Sequence, residues 1–136
     1  MRFLDTNIFI RYLTGDDPVQ SAACSRLWEQ IIQGKEDVTT SETIIAEVCY
    51  VLSSLRLYHI SHEEIAVRLR PLLSLSSLKL PKKHSFMRAL DMYSTHSFLD
   101  FEDAMTIAHM EREGIKELVS YDTDFDRIPD ITRIEP

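Results

Sequence analysis

The sequence predicts an α/β fold, a short-stranded central parallel sheet with helices on both faces. Two observations predict it. Apolar runs of three to five residues alternate along the chain with longer segments whose apolar residues recur at helical spacing. Polar residues also fall directly after several of those runs, at the carboxyl ends of the expected strands, where open α/β sheets bind ligands. The length of 136 residues, with 44% apolar and 27% charged, suits one domain over residues 1–136 with a core of its own.

Arg2-Phe3-Leu4 is the first strand. Asp5-Thr6-Asn7 supplies three capping residues for a short helix through Ile8, Phe9, Ile10, Tyr12 and Leu13, closed near Gly15. Asp17 and Pro18 suit the N-cap and first position of a second helix, with Ala23, Leu27, Trp28, Ile31 and Ile32 inward and Gly34 at its end. Val38-Thr39-Thr40 is a β-prone triplet, and Ser41 caps a helix with the stripe Ile44, Ile45, Val48, Val51, Leu52 and Leu55. Ser61 and Glu64 have capping-box spacing before a helix that Pro71 kinks or ends. Leu78-Lys79-Leu80 is a third strand. A helix over His84 to Thr95 places Phe86, Ala89, Leu90 and Tyr93 inward. Asp100 opens the last long helix and Gly114 closes it. Glu117 to Tyr121 and Ile131 to Ile134 are the final strands.

Composition narrows the function. Fifteen basic and 22 acidic residues give a net charge of −7, the wrong sign for a protein that merely coats polyanions. No apolar run approaches the roughly 20 residues of a membrane span. Asp5 interrupts the N-terminus before a secretory signal region can form, and Cys24 and Cys49 read as buried free thiols, so a cytoplasmic protein is expected. The five histidines lack zinc-ligand spacing.

The acids are the informative residues. Asp5 follows the first strand, and Asp122 and Asp124 follow the fourth. Glu47 borders the apolar stripe of its helix with no Lys or Arg three or four residues away, so its partner must come from elsewhere. Asp103 borders the apolar face of the helix that Asp100 caps. Carboxylates gathered at one edge repel, and a hard divalent cation removes that repulsion. Oxygen donors without His or Cys select Mg²⁺ or Mn²⁺. Such a centre suits phosphodiester hydrolysis.

Four segments then carry a resemblance: Leu4-Asp5-Thr6-Asn7-Ile8, Ser41 followed by Ala46-Glu47-Val48, Asp100-Phe101-Glu102-Asp103-Ala104, and Ser120-Tyr121-Asp122-Thr123-Asp124-Phe125. In this order they resemble the PIN domain, and more narrowly the VapC-type toxins of toxin–antitoxin pairs, over Arg2 to Ile134. The resemblance implies a PIN-like α/β/α sandwich acting as a Mg²⁺- or Mn²⁺-dependent endoribonuclease. Asp5, Glu47, Asp103, Asp122 and Asp124 would be its catalytic acids, with Asp122 and Asp124 competing for one role. Asp5, Asp103 and Asp122 would ligate one or two metals. Thr6, Asn7 and Ser41 would support the acids or contact phosphate. Ser120 stands where Thr is commoner, keeping the hydroxyl, and Asp100 matches an often acidic position but reads as a cap.

The implied reaction is hydrolysis by metal-activated water in line with the leaving 3′ oxygen. The implied partners are RNA, a cognate antitoxin and a second copy of the chain. Arg11, Arg56, Lys82 and Lys83 are candidate phosphate contacts, and Trp28, Ile31, Val51, Leu55 and Tyr58 are candidates for a partner face as well as for core. Two other readings are a non-catalytic interaction module of the same fold and a DNA-directed nuclease of the same superfamily. An Asp-nucleophile phosphatase fits less well, because position 7 is Asn7 where such sites carry a second Asp.

Overall fold

The computed structural model describes all 136 residues. Five short strands and six helices follow in the order β1 (Arg2–Phe3), α1 (Thr6–Thr14), α2 (Pro18–Ile32), β2 (Val38–Thr39), α3 (Glu42–Ser53), α4 (His62–Leu73), β3 (Leu78–Lys79), α5 (Lys83–Thr95), α6 (Phe101–Glu113), β4 (Glu117–Val119) and β5 (Thr132–Ile134). A 3₁₀ turn over Thr123–Arg127 links the last two strands. All pairing is parallel, as the alternation of strands and helices predicts.

The strands form two ladders rather than one continuous sheet: β1-β2-β3 with Arg2 opposite Val38 and Val38 opposite Leu78, and β4-β5 with Glu117 opposite Thr132. Strands of two or three residues make few ladder bonds, so helix packing holds the fold. Helix α3 packs on α1, α4 and α6, and α5 packs on α4 and α6. Two bonds extend the first ladder past β1, from Leu4 N–H to the Thr39 carbonyl at 2.8 Å and from the buried Thr40 hydroxyl to the Leu4 carbonyl at 2.9 Å. They fix the backbone immediately before Asp5.

The predicted helix signals act as read except at α1, whose N-cap Asp5 makes no side-chain capping bond, and at α4, where Glu64 pairs with Arg68 instead of completing the box with Ser61. Asp17, Ser41, Ser61 and Asp100 each accept a backbone N–H at the N-cap, and Gly15 and Gly114 take the left-handed conformation at φ 65° and 69° just past their helices. Pro71 lies inside α4, which stops two residues later. In α2 the inward face is Cys24, Trp28 and Ile31; Ala23 and Ile32 are exposed, because α2 packs on α1 along a narrower stripe than the spacing suggests. Both cysteines are free and buried.

Trp28 is the centre of the α1–α2 contact. It is fully buried, edge-on to Phe9 at 5.1 Å and stacked with Tyr12 at 5.5 Å. Its indole N–H donates to the Ile8 carbonyl at 3.1 Å, satisfying the one polar atom of a large buried ring. No helix is long and apolar enough to cross a membrane.

Candidate active site

Asp5 occupies the N-cap position of α1 in extended backbone, yet its side chain makes no capping bond. Capping is the ordinary reason for an Asp there, and this one is exposed with both oxygens free for another task. Thr6, buried at the next position, turns the other way. Its hydroxyl donates to Glu47 Oε2 at 2.8 Å, across from α1 to α3. The partner that Glu47 lacks on its own helix is therefore a neutral hydroxyl, which orients the carboxylate without neutralising it. Asp5, Thr6, Asn7, Arg11, Glu47 and Tyr58 line one cleft. Arg11 is the only cation in it, and it is held to Asp16 at 3.1 Å and to Gln20 at 2.8 Å, with the Tyr58 hydroxyl also donating to Asp16.

A second group of acids gathers at the start of α6. Asp100 Oδ1 caps the helix by accepting Asp103 N–H at 2.7 Å. Asp122 Oδ1 caps the 3₁₀ turn by accepting Asp124 N–H at 2.9 Å, and Asp122 N–H donates to the Ser120 hydroxyl at 3.0 Å. Asp103 is half-buried among them. Its carboxyl is pushed up to about 6, first by lost hydration and then by the negative charges of Asp100, Asp122 and Asp124. The proximity of α6 to the β4–β5 turn is thus recorded in the electrostatics of one side chain. The Asp124 carboxylate, also half-buried, accepts no hydrogen bond, whereas one oxygen of Asp122 serves the turn.

The acids therefore form two groups, Asp5 with Glu47 and Asp103 with Asp122 and Asp124, and no three of these side chains stand close enough to enclose one ion. Ser41 is committed to capping α3, accepting Ile44 N–H at 3.2 Å, and Asn7 is exposed at the cleft. Of the other candidates, Lys83 donates to the Leu75 carbonyl, while Arg56 and Lys82 are exposed. Trp28 and Ile31 are core, but Leu55 is 78% exposed beside exposed Tyr50 and Leu57.

The succession of acids along these elements agrees with a family match. The PIN domain family matches residues 2–131. This chain belongs to the PIN domain family. Two relatives, the VapC ribonuclease Mb1869c of Mycobacterium bovis and ribonuclease VapC13 of Mycobacterium tuberculosis, are each 27% identical over 135 residues, covering 98% of this PIN domain chain and 99% of theirs. A crystal structure of Mycobacterium tuberculosis VapC20, a sarcin-ricin loop cleaving toxin, aligns over 100% of both chains with 20% identity and a TM-score of 0.42.

Sequence reasoning did not single out the residues that wall a cavity beside the acids, above all His62, Tyr93 and Phe98. The His62 ring stacks on Tyr93 at 3.8 Å, and its Nδ1 lies 3.1 Å from the Tyr93 carbonyl oxygen. A carbonyl only accepts, so the neutral ring donates from Nδ1. Burial pushes the His62 imidazole down, opposed by the Tyr93 and His96 carbonyls and by the charge of Asp100. Its stabilising contribution is then complete above the ordinary histidine range near 6.5 and is lost as pH falls through the lowered value, since the unfolded chain takes up the proton first. Asp103, raised to about 6, titrates in the same interval with the opposite sign, so the His62 contribution is read as the difference between wild-type and His62→Gln melting temperatures, which is expected to move against the wild type as pH falls from 7.5 to 5.

Proposed function

We propose that this chain is a metal-dependent endoribonuclease, a single PIN domain serving as the toxin of a cytoplasmic toxin–antitoxin pair. The observation that carries the reading is the crowding of Asp103 against Asp100, Asp122 and Asp124, an uncompensated concentration of negative charge with no cation from the chain to balance it. Capping accounts for Asp100 at α6 and for Asp122 at the 3₁₀ turn, but not for the half-buried carboxylates of Asp103 and Asp124 beside them. The full-length similarity to two proteins named as VapC ribonucleases supports the substrate class.

The donor set fits a hard divalent cation in its chemistry: every candidate ligand is a carboxylate oxygen, and no His or Cys stands among them. Asp5, Asp103 and Asp122 would hold Mg²⁺ or Mn²⁺, with Asp124 competing for the place of Asp122. Asp5 is exposed and makes no capping bond, so its side chain is free to turn toward an ion, and exposed Asp122 keeps a second oxygen beside the one that caps the turn. Such an ion supplies an activated water and neutralises charge on the phosphate oxygens.

The chain's own residues do the rest. Thr6 fixes the Glu47 carboxylate, which orients the attacking water through an accepted hydrogen bond. Asn7, exposed at the cleft, would donate to a phosphate oxygen. Arg11 is held in one orientation by Asp16 and Gln20, its charge balanced by Asp16, and would offer its remaining N–H groups to the RNA backbone. In-line attack expels the 3′ oxygen and leaves 5′-phosphate and 3′-hydroxyl ends. Exposed Leu57 lines the same cleft, and Tyr50 and Leu55 are exposed on and just after α3, which supports a protein partner, antitoxin or second copy, lying over this end of the helix.

Purified protein free of any partner is expected to cleave structured RNA with Mg²⁺ or Mn²⁺ and to stop with EDTA. The product ends decide the chemistry. Cleavage that survives EDTA, or that leaves 2′,3′-cyclic phosphates, would overturn the reading.

A further inference from the structure

Asp16 does not line the cleft of Asp5 and Glu47, yet its carboxylate joins two of the segments that do. The cleft, of about 400 Å³, is lined by Arg11 from α1 and by Leu57 and Tyr58 from the connection between α3 and α4. Arg11 Nη1 donates to Asp16 Oδ1 at 3.1 Å and to Oδ2 at 3.3 Å, and the Tyr58 hydroxyl donates to Oδ2. The Thr14 hydroxyl lies 3.0 Å from Oδ1. One carboxylate just past the end of α1 therefore ties the α1 side of the cleft to the α3–α4 connection.

Three features give this network its consequence. First, it occupies selected atoms of Arg11. Nε donates to Gln20 at 2.8 Å and Nη1 to Asp16, which leaves Nη2 as the one guanidinium nitrogen without a partner. A planar guanidinium held on two of its three nitrogens has the direction of the third fixed as well. Second, the bonds orient more than they stabilise. Asp16 is exposed, and ion pairs at exposed positions add little to folding. Third, neither neighbouring helix end needs an acid at position 16. Asp17 caps α2, and Gly15 makes the left-handed turn that ends α1.

We propose that Asp16 is a positioning residue: through Arg11 and Tyr58 it sets the spacing between α1 and the α3–α4 connection, and it aims the Arg11 Nη2 group at a backbone phosphate of the RNA beside Asp5 and Glu47. The proposal rests on the ribonuclease reading and adds to it a residue that does not touch the substrate. It carries a prediction of sign. Asp16→Ala removes one negative charge next to a cleft that takes a polyanion, so charge alone predicts tighter RNA binding and a lower KM. Loss of the brace predicts the reverse, because the guanidinium is released and the two sides of the cleft are no longer tied.

Steady-state cleavage of a fluorescein-labelled single-stranded RNA with Mg²⁺ tests it, read beside the ¹⁵N signal of the Arg11 Nε–H group, which needs neither metal nor RNA. In Asp16→Ala, kcat/KM is expected to fall about tenfold or more with KM rising, against the sign that charge predicts. In an Arg11→Gln background the same substitution is expected to lose most of that effect, because the group it positions is gone. Tyr58→Phe, which keeps the charge and the ring, is expected to lower kcat/KM by a smaller factor. The Arg11 Nε–H signal is expected to be rigid by heteronuclear NOE in the wild type and mobile in Asp16→Ala. Melting curves of each variant separate these losses from unfolding. An unchanged or raised kcat/KM in Asp16→Ala, an equal loss with and without Arg11, or an Arg11 signal that stays rigid would each overturn the proposal. An Arg11 signal that loosens in a protein that cleaves no RNA would support the brace and count against the ribonuclease reading. RNA cleavage that Asp16→Ala leaves at the wild-type rate would do the reverse.

Discussion

Asp5→Asn is expected to lower metal-dependent RNA cleavage by more than about a hundredfold, since even residues that only support a metal ligand change activity by about ten- to a hundredfold. The melting temperature should stay within about 2 °C, because the Asp5 side chain is exposed and caps nothing. Asp103→Asn should be equally inactive but differ in stability. It removes one of several crowded negative charges, so in EDTA the melting temperature is expected to rise rather than fall. Excess Mg²⁺ should stabilise the wild type, and each variant should reduce that gain. Paired cleavage assays and thermal scans with and without metal read all of these. An Asp5→Asn protein that cleaves as fast as wild type would remove Asp5 from the proposed centre, and an Asp103→Asn protein that loses stability would mean that Asp103 has a structural role instead.

Trp28→Ala is expected to destabilise the fold by about 4 kcal/mol, within the range for large buried aromatics. Ordinary domain stability is about 5–15 kcal/mol, so the variant would stand near the edge of folding. The loss combines a cavity under α1, two broken ring contacts and the lost indole bond to the Ile8 carbonyl. Trp28→Phe separates these effects: it keeps most of the volume and loses the indole bond, for about 1 kcal/mol. Urea midpoints for both variants check the pair. Because α1 carries Thr6 and begins at Asp5, the weaker variant should also cleave RNA more slowly in proportion to its folded fraction.

The order of elements was legible because it rests on local signals. Asp17-Pro18, Ser41, Ser61, Asp100 and the glycines after α1 and α6 act through backbone groups within a few residues, and each does in the structure what its position suggests. The parallel pairing followed from alternation alone. The exposure of Ala23 and Ile32 did not, because the width of a helix contact depends on its neighbour, whereas the burial of Cys24 is as expected. The acids were legible as types in an order, since carboxylates such as Asp5 and Glu47, at a strand end and a stripe edge, have no local partner that explains them, although Asp122 also caps a turn.

The sequence by itself determined the α/β alternation, the helix boundaries, the oxygen-only acid set and, through the match over residues 2–131, membership of the PIN domain family. Tertiary structure decided the rest. It split the strands into two ladders, gave Glu47 a hydroxyl partner 41 residues away, set Asp103 against Asp122 and Asp124, and opened a cavity between α3 and the α5–α6 connection. The physical reason is range. Capping and periodicity act within one or two turns of chain, whereas desolvation, charge crowding and cavity shape depend on which distant side chains share the same few ångströms.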